Sequence, residues 1–430
     1  MREIQNILLL AVLILASVSC KDEFTEEFTA NKPVYMSYEN LRSSVKFSGS
    51  RDLKNPGKIY FKDDLIFVNE EMEGVHIISN ANAQSPQNIG FIEIPGNVDI
   101  AIKNNTLYAD SYVDLVVIDI SDVSSPKEVK RIKNVFPYTL PPYDENYRVA
   151  DVDEEQGVVT GWEITRVRQK LEYNYYPIYY YSMREDYALM NQSPSFSGSA
   201  QGTTFGVGGS MARFGLYDNY LYTVDDYNLY MFDVTNDASP LEIGKQNVGW
   251  SIETMFIHDG HMFFGTQSGM RVYSLEVPTV PTYVSDFWHV TSCDPVVVDD
   301  GYAYVTLRGG TTCGSTVNRL DVLQLNQDYT NTTLLASYPL HGPYGLGIDD
   351  DILFVCDGDA GLKVFDASDK LNISAHMLSV FPDINTYDVI PVNGYLFMIG
   401  NDGFYLYDYS DLQNIHQLSF IPVEVKVKQF

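Results

Sequence analysis

Apolar residues in this chain come in short runs, not at helical spacing, and the runs repeat. One unit recurs: an apolar strand, a turn of Asp, Asn or Gly, a second apolar strand, a polar turn, a third strand, and often a proline before a fourth. The third strand gives the clearest copies: Leu115-Val116-Val117-Ile118-Asp119-Ile120-Ser121, Leu229-Tyr230-Met231-Phe232-Asp233-Val234-Thr235, Leu362-Lys363-Val364-Phe365-Asp366-Ala367-Ser368 and Phe404-Tyr405-Leu406-Tyr407-Asp408-Tyr409-Ser410. Weaker copies run from Val75 to Asn80, Met270 to Leu275 and Leu320 to Leu325. The aligned Asp positions are 79, 119, 233, 274, 324, 366 and 408, at intervals of 40, 114, 41, 50, 42 and 42 residues. Four of these six intervals have the length of one four-stranded propeller blade, about 40–45 residues.

Strands this apolar need cover on both faces, and one small sheet cannot cover itself. Stacking blades around an axis buries those faces and leaves only short edges. The Asp closing each third strand, followed by Ser or Thr, suits a turn in which the carboxylate accepts nearby backbone N–H groups. Pro86, Pro126, Pro240 and Pro281 then stand just ahead of the fourth strands. A linear solenoid would have shorter rungs. The pattern predicts an all-β chain, a seven-bladed β-propeller with an eighth blade left open, and a long insertion over 138–210 between the second and third blades.

The same residues, Leu115-Val116-Val117-Ile118-Asp119 above all, resemble the LVIVD repeat of bacterial surface and secreted propeller proteins. The resemblance covers about residues 55–137 and 211–423, with Ser79, Ser274 and Gln324 departing from the Asp. It implies a seven-bladed propeller at the cell envelope and brings no established catalytic residues with it.

The N-terminus sets an address. Arg2 and Glu3 precede an apolar run from Ile7 to Ala16, followed by Ser17-Val18-Ser19-Cys20. This is the layout of a secretory signal, and the run is too short for a spanning helix, which needs roughly 20 apolar residues. Ser17 to Cys20 resemble a bacterial lipobox, with Ser17 in place of the usual Leu, and Lys21-Asp22-Glu23 resemble the surface-export signal of Bacteroidetes lipoproteins. The expected organisation is a signal peptide over 1–19, a lipidated Cys20 with a flexible tether to residue 33, and a propeller over 34–430. The membrane would then be a partner through lipid on Cys20, with the chain on the outer membrane, exposed at the cell surface or, alternatively, on the periplasmic face. The formal charge of −29 argues against nucleic acid and against basic docking on anionic lipid.

Within the insertion, Tyr147–Asp151 and Val158–Ile164 read as a hairpin, followed by a tyrosine cluster that includes Tyr175, Tyr176 and Tyr179. Alternating tyrosines extend a hairpin packed on the propeller flank, or else stack on sugar rings or grip a protein. The Gly/Ser-rich stretch from Ser193 to Ser210 closes the segment. Cys293 and Cys313 fall in one blade of an exported chain and suggest a disulfide, whereas Cys356 sits at a strand position. Asp151-Val152-Asp153-Glu154-Glu155-Gln156-Gly157 begins like a calcium loop but has Gln156 where Gly is required and Trp162 where the closing Glu belongs. An acidic turn explains it better, and no metal or cofactor is expected.

A propeller binds ligands in the funnel at the end of its axis where the innermost strands begin. The loops there hold Trp250, His289, His341, Tyr344 and Tyr387 at comparable places in successive blades. No nucleophile elbow, phosphate-cradling loop or dinucleotide fingerprint occurs, so no catalytic residue is assigned. The expectation is a non-catalytic binding or scaffold propeller whose ligand is a glycan or an envelope protein. The alternative is a carbohydrate hydrolase with acids converging on the axis.

Overall fold

A computed structural model of the chain describes residues 25–170, 207–208, 212–266, 268–288, 295–309 and 316–424. The chain forms two compact units, one of which takes residues up to 36 together with part of the insertion from 140 onward. In the larger unit, six antiparallel sheets of four strands and one of six stand among the described residues, each built around four consecutive strands. Blade 1 runs Pro56–Lys62, Leu65–Glu70, Gly74–Ser79 and Gln87–Glu93; blade 2 runs Ile100–Lys103, Thr106–Ser111, Asp114–Asp119 and Lys127–Ile132. Blade 3 runs Phe214–Tyr217, Tyr220–Val224, Asn228–Asp233 and Leu241–Asn247; blade 4 runs Ile252–His258, His261–Thr266, Gly269–Ser274 and Thr282–Trp288. Blade 5 runs Val296–Asp299, Tyr302–Leu307, Arg319–Leu325 and Thr332–Pro339; blade 6 runs Leu346–Asp349, Ile352–Cys356, Leu362–Asp366 and Met377–Phe381. Blade 7 runs Thr386–Val392, Tyr395–Gly400, Gly403–Asp408 and His416–Pro422. First strands touch in order around the ring, and that of blade 7 touches that of blade 1. The fold is a seven-bladed propeller.

Local chemistry explains why the strands turn where they do. Each first-to-second-strand hairpin places Asp63, Asn104, Asp218, Asp259, Asp300, Asp350 or Asn393 in the left-handed region, at φ between 42° and 55°. Only Gly, Asn and Asp enter that region readily, and a two-residue hairpin needs it. At the end of the third strands, Asp119, Asp233, Asp366 and Asp408 accept the backbone N–H of the residue two further on, at 2.8–2.9 Å. In the divergent copy the Ser274 hydroxyl takes over, accepting the Glu276 N–H at 3.1 Å. A bulge follows between third and fourth strands in every blade, as between Val272 and Tyr273.

Every blade-to-blade interface has its own apolar cluster. Tyr60, Phe67, Ile102 and Leu107 pack between blades 1 and 2, and Phe256, Phe263, Val298 and Val305 between blades 4 and 5. Each such side chain contributes about 1.5–3 kcal/mol, realised only when the neighbouring blade is present. Tyrosines add bonds between blades: Tyr108 donates to Asp237 O at 3.0 Å and Tyr222 to Pro278 O at 2.8 Å. Outside the four-stranded pattern, Lys46–Ser48 pairs with the outer strand of blade 1 and Val207–Gly208 with its inner strand.

The smaller unit departs from the sequence reading. Arg148–Val149 and Val158–Lys170 do not pair with each other; Thr25–Met36 lies between them, parallel to the first and antiparallel to the second. The register with Val158–Lys170 runs unbroken from Thr25 to Val34, which offers far more ladder bonds than a short local hairpin would. Part of the stretch expected as a flexible tether, from Thr25 onward, is therefore strand. Asn31 ties this sheet together, its amide donating to Asp144 O and Tyr147 O at 2.8 Å each. The acidic segment read as a turn is a short 3-10 turn, Glu154–Gln156, capped by the Asp153 carboxylate.

Candidate functional site

Where the first strands begin, a set of buried charges joins three blades. Lys58 and Tyr60 lie two apart on the first strand of blade 1 and so share a face. They meet Asp99, the residue just before the first strand of blade 2. Lys58 Nζ lies 3.0 Å from Asp99 Oδ2, the Tyr60 hydroxyl donates to Oδ1, and the backbone N–H groups of Arg213 and Phe214 donate to Oδ2. Asp99 also accepts the N–H of Ile100 at 2.8 Å. Its side chain is 2 % exposed and that of Lys58 5 %. Burial lowers the Lys58 ammonium pKa and raises that of the Tyr60 phenol well above its ordinary range.

Asp110, on the second strand of blade 2, accepts the N–H of Val98 at 2.8 Å, that of Asp99 at 3.0 Å and the Asn97 amide at 2.9 Å. Burial pushes its carboxyl up to about 7, against the pull of those amides and with the Asp99 charge adding to the rise. The folded chain therefore holds a proton that the unfolded chain releases near pH 4. The associated stability is complete below that pH and lost as pH rises through about 7. Asp110→Asn, which keeps an acceptor oxygen and cannot ionise, is expected to be a few kcal/mol more stable than the parent at pH 8 and close to it near pH 4. Melting temperatures at the two pH values test this, and an unchanged difference between them in the variant would count against it.

Farther round the ring, Asp357 accepts the N–H groups of His341 and Gly342 at 2.9 and 2.8 Å and pairs with Lys363. His341 Nδ1 lies 2.9 Å from Asp359 in an exposed pair. Arg308 stacks over the Tyr344 ring at 3.6 Å, and burial lowers its pKa to about 10. Tyr387 donates its hydroxyl to Pro56 O, joining blade 7 to blade 1. Trp250 projects into solvent, 58 % exposed, with the Arg271 guanidinium 5.6 Å from its ring.

The structure thus brings the loops of His341, Tyr344 and Tyr387 together, the Gly345 N–H donating to Tyr387 O at 3.0 Å, and leaves Trp250 at the junction of blades 3 and 4. Cys20, Tyr175, Tyr176, Tyr179, His289, Cys293 and Cys313 lie outside the described residues. Cys356 is a buried free thiol whose pKa burial raises. Among the described residues, no three His, Cys, Asp or Glu side chains gather in a metal-holding group. Sequence reasoning passed over Lys58, Tyr60, Asp99, Asp110 and Arg213. Their one visible signal is positional, since Asp99 and Asp388 occupy the same place and each caps the N–H of the next residue, at 2.8 and 2.9 Å.

The LVIVD repeat profile matches residues 96–134 and 208–248, which are blades 2 and 3 with the loops that lead into them. The chain is a β-propeller carrying LVIVD repeats. No curated protein matches it. Among solved structures it is similar to the periplasmic gluconolactonase PpgL of Pseudomonas aeruginosa, at 11% identity over 88% of this chain and 96% of that one, with a TM-score of 0.50. A functionally unknown protein of Desulfotomaculum acetoxidans gives 13% identity, 85% and 95% coverage and a TM-score of 0.49. BamB of Moraxella catarrhalis gives 10% identity, 79% and 80% coverage and a TM-score of 0.45. At such identities the likeness speaks to the fold alone.

Proposed function

We propose that this chain is a lipid-anchored envelope protein whose propeller binds a ligand, glycan or protein, without transforming it. The observation that carries the reading is how three buried acids at the end of the ring where first strands begin are used. Asp99 takes five donors from three blades, Asp110 takes three, and Asp357 takes two amides and a lysine. Carboxylates engaged in this way hold blades together, whereas a glycosidase pair must reach a scissile bond and a water. Trp250 at the same end of the ring is exposed and free to make new contacts.

Two experiments test the reading. Labelled palmitate should enter the full chain expressed in a Gram-negative host and should not enter Cys20→Ala. Photo-cross-linking on intact cells from position 250 should capture a glycan or an envelope protein. Incorporation into Cys20→Ala, or no capture by any probe, would overturn it. The hydrolase reading keeps one observation in its favour, the carboxyl of Asp110 held near 7 beside Asp99 and Lys58. Release of reducing sugar by the purified chain, abolished in Asp110→Asn, would establish that reading instead.

A further inference from the structure

Two of the three tryptophans of the chain stand exposed where blades 3 and 4 meet, at the end of the ring where first strands begin. Trp250 lies in the loop leading into blade 4 and Trp288 closes its outer strand; they are 58 % and 56 % exposed. Tryptophan carries the largest apolar surface of any side chain, so leaving two indoles in water at one junction forfeits burial that the fold could have used. Beside them lies a fixed polar pair. Arg271 Nε donates to Asp286 Oδ1 at 2.8 Å, and Arg271 Nη1 donates to Val248 O at 2.7 Å, across to the end of blade 3. The guanidinium sits 5.6 Å from the Trp250 ring, within cation–π reach. Asp286 and Trp288 are two apart on one strand and share its face; their cross-strand partners are Arg271 and Gly269.

Two glycines permit the close approaches in this arrangement. A side chain at Gly249 would meet Arg271 Nη1 at 1.6 Å, and at Gly269 it would meet Phe287 O at 1.9 Å. Opposite Trp288 on the neighbouring strand stands Gly269, which brings no side chain of its own. Arg271 thus reaches Trp250 and pairs with Asp286 on the strand face that carries Trp288, the two polar side chains being 13 % and 16 % exposed.

We propose that the surface formed by Trp250, Arg271, Asp286 and Trp288 is a subsite for a neutral sugar ring, an assignment that rests on the binding reading above and gives it a ligand class. The apolar C–H face of a pyranose stacks on an indole, and its equatorial hydroxyls meet the guanidinium and carboxylate edges. The formal charge of −29 disfavours uronate or sulfated polymers, which leaves neutral hexose and pentose glycans. A protein partner would need about 800 Å² of contact on this side, more than two indoles and the polar pair beside them provide.

The test is a fluorescence titration of the full chain in detergent with cello-, xylo- and mannohexaose. A saturable change in indole emission is expected with at least one of them. Trp250→Ala and Trp288→Ala should each weaken that binding by about tenfold or more, Trp288→Phe by much less. Both indoles are exposed, so the melting temperatures of these variants should match the parent. Binding that survives both Ala substitutions would overturn the subsite and leave a binding propeller standing. No response to any hexaose, with a protein captured by cross-linking from position 250, would overturn the sugar assignment alone. Absence of both would overturn the assignment and the binding reading together.

Discussion

Asp99→Ala is expected to destabilise the propeller by about 3–5 kcal/mol, enough to threaten folding at growth temperature. The substitution leaves the Lys58 ammonium, 5 % exposed, without the carboxylate 3.0 Å away that neutralises it. It also leaves the N–H groups of Arg213 and Phe214 and the Tyr60 hydroxyl without their acceptor. Removing one partner of a buried pair costs far more than removing both, because the survivor keeps its desolvation penalty. Lys58→Met combined with Asp99→Asn should therefore recover much of the loss, since the amide oxygen still accepts and the orphan charge is gone. Denaturant titration of the parent, the single variant and the double variant tests this. A single-variant loss below about 1 kcal/mol would show that Asp99 is not what joins blades 1, 2 and 3.

Gly403→Ala should cost about 3 kcal/mol or more, by a different route. Gly403 opens the third strand of blade 7 at φ +150°, and an added Cβ would stand 2.1 Å from Ile421 O. The obstacle is backbone of the adjacent strand, which cannot move aside without breaking the ladder between Gly403–Asp408 and His416–Pro422. Gly74, Gly269 and Gly361 repeat the situation at the same point of their blades, with the same class of atom 1.9–2.0 Å away. Gly244→Ala is the control, since its Cβ would meet only the flexible Met231 Cε at 3.6 Å. Comparable melting temperatures for Gly403→Ala and Gly244→Ala would refute the argument.

These two cases show what could be seen in the sequence. The third-strand Asp with its Ser or Thr was visible because the whole interaction spans two residues, and the structure places the carboxylate on the N–H anticipated. The prolines at 86, 126, 240 and 281 each stand immediately before a fourth strand. The glycines ahead of Val75, Met270, Leu362 and Phe404 were equally present in the sequence and went unused, although their repetition marks a backbone conformation closed to other residues. The Asp99 network was hidden for a physical reason. A carboxylate that will be buried looks like one that closes a turn, and its partners other than Ile100 lie 39 to 115 residues away. The pairing of Thr25–Met36 with Val158–Lys170 was hidden likewise, because local periodicity says nothing about a partner more than 120 residues distant.

The order of strands around the ring has a mechanical consequence. The four core strands of every blade are consecutive, so the chain runs round the axis once and no four-stranded sheet combines segments from both ends of the ring. The seam between blades 7 and 1 is held by a short parallel bridge between Leu53 and Val423, by the Glu424 N–H on Leu53 O, by Tyr387 on Pro56, and by packing of Ile59 and Val68 against Ile390 and Phe397. At that one junction no peptide link joins the neighbouring blades. Like a split washer, the ring has a built-in place to open, and tension on its ends would part blade 7 from blade 1 before any sheet unravels. A circularly permuted chain, with a linker across the seam and new ends between two other blades, would carry the weak joint to its new location.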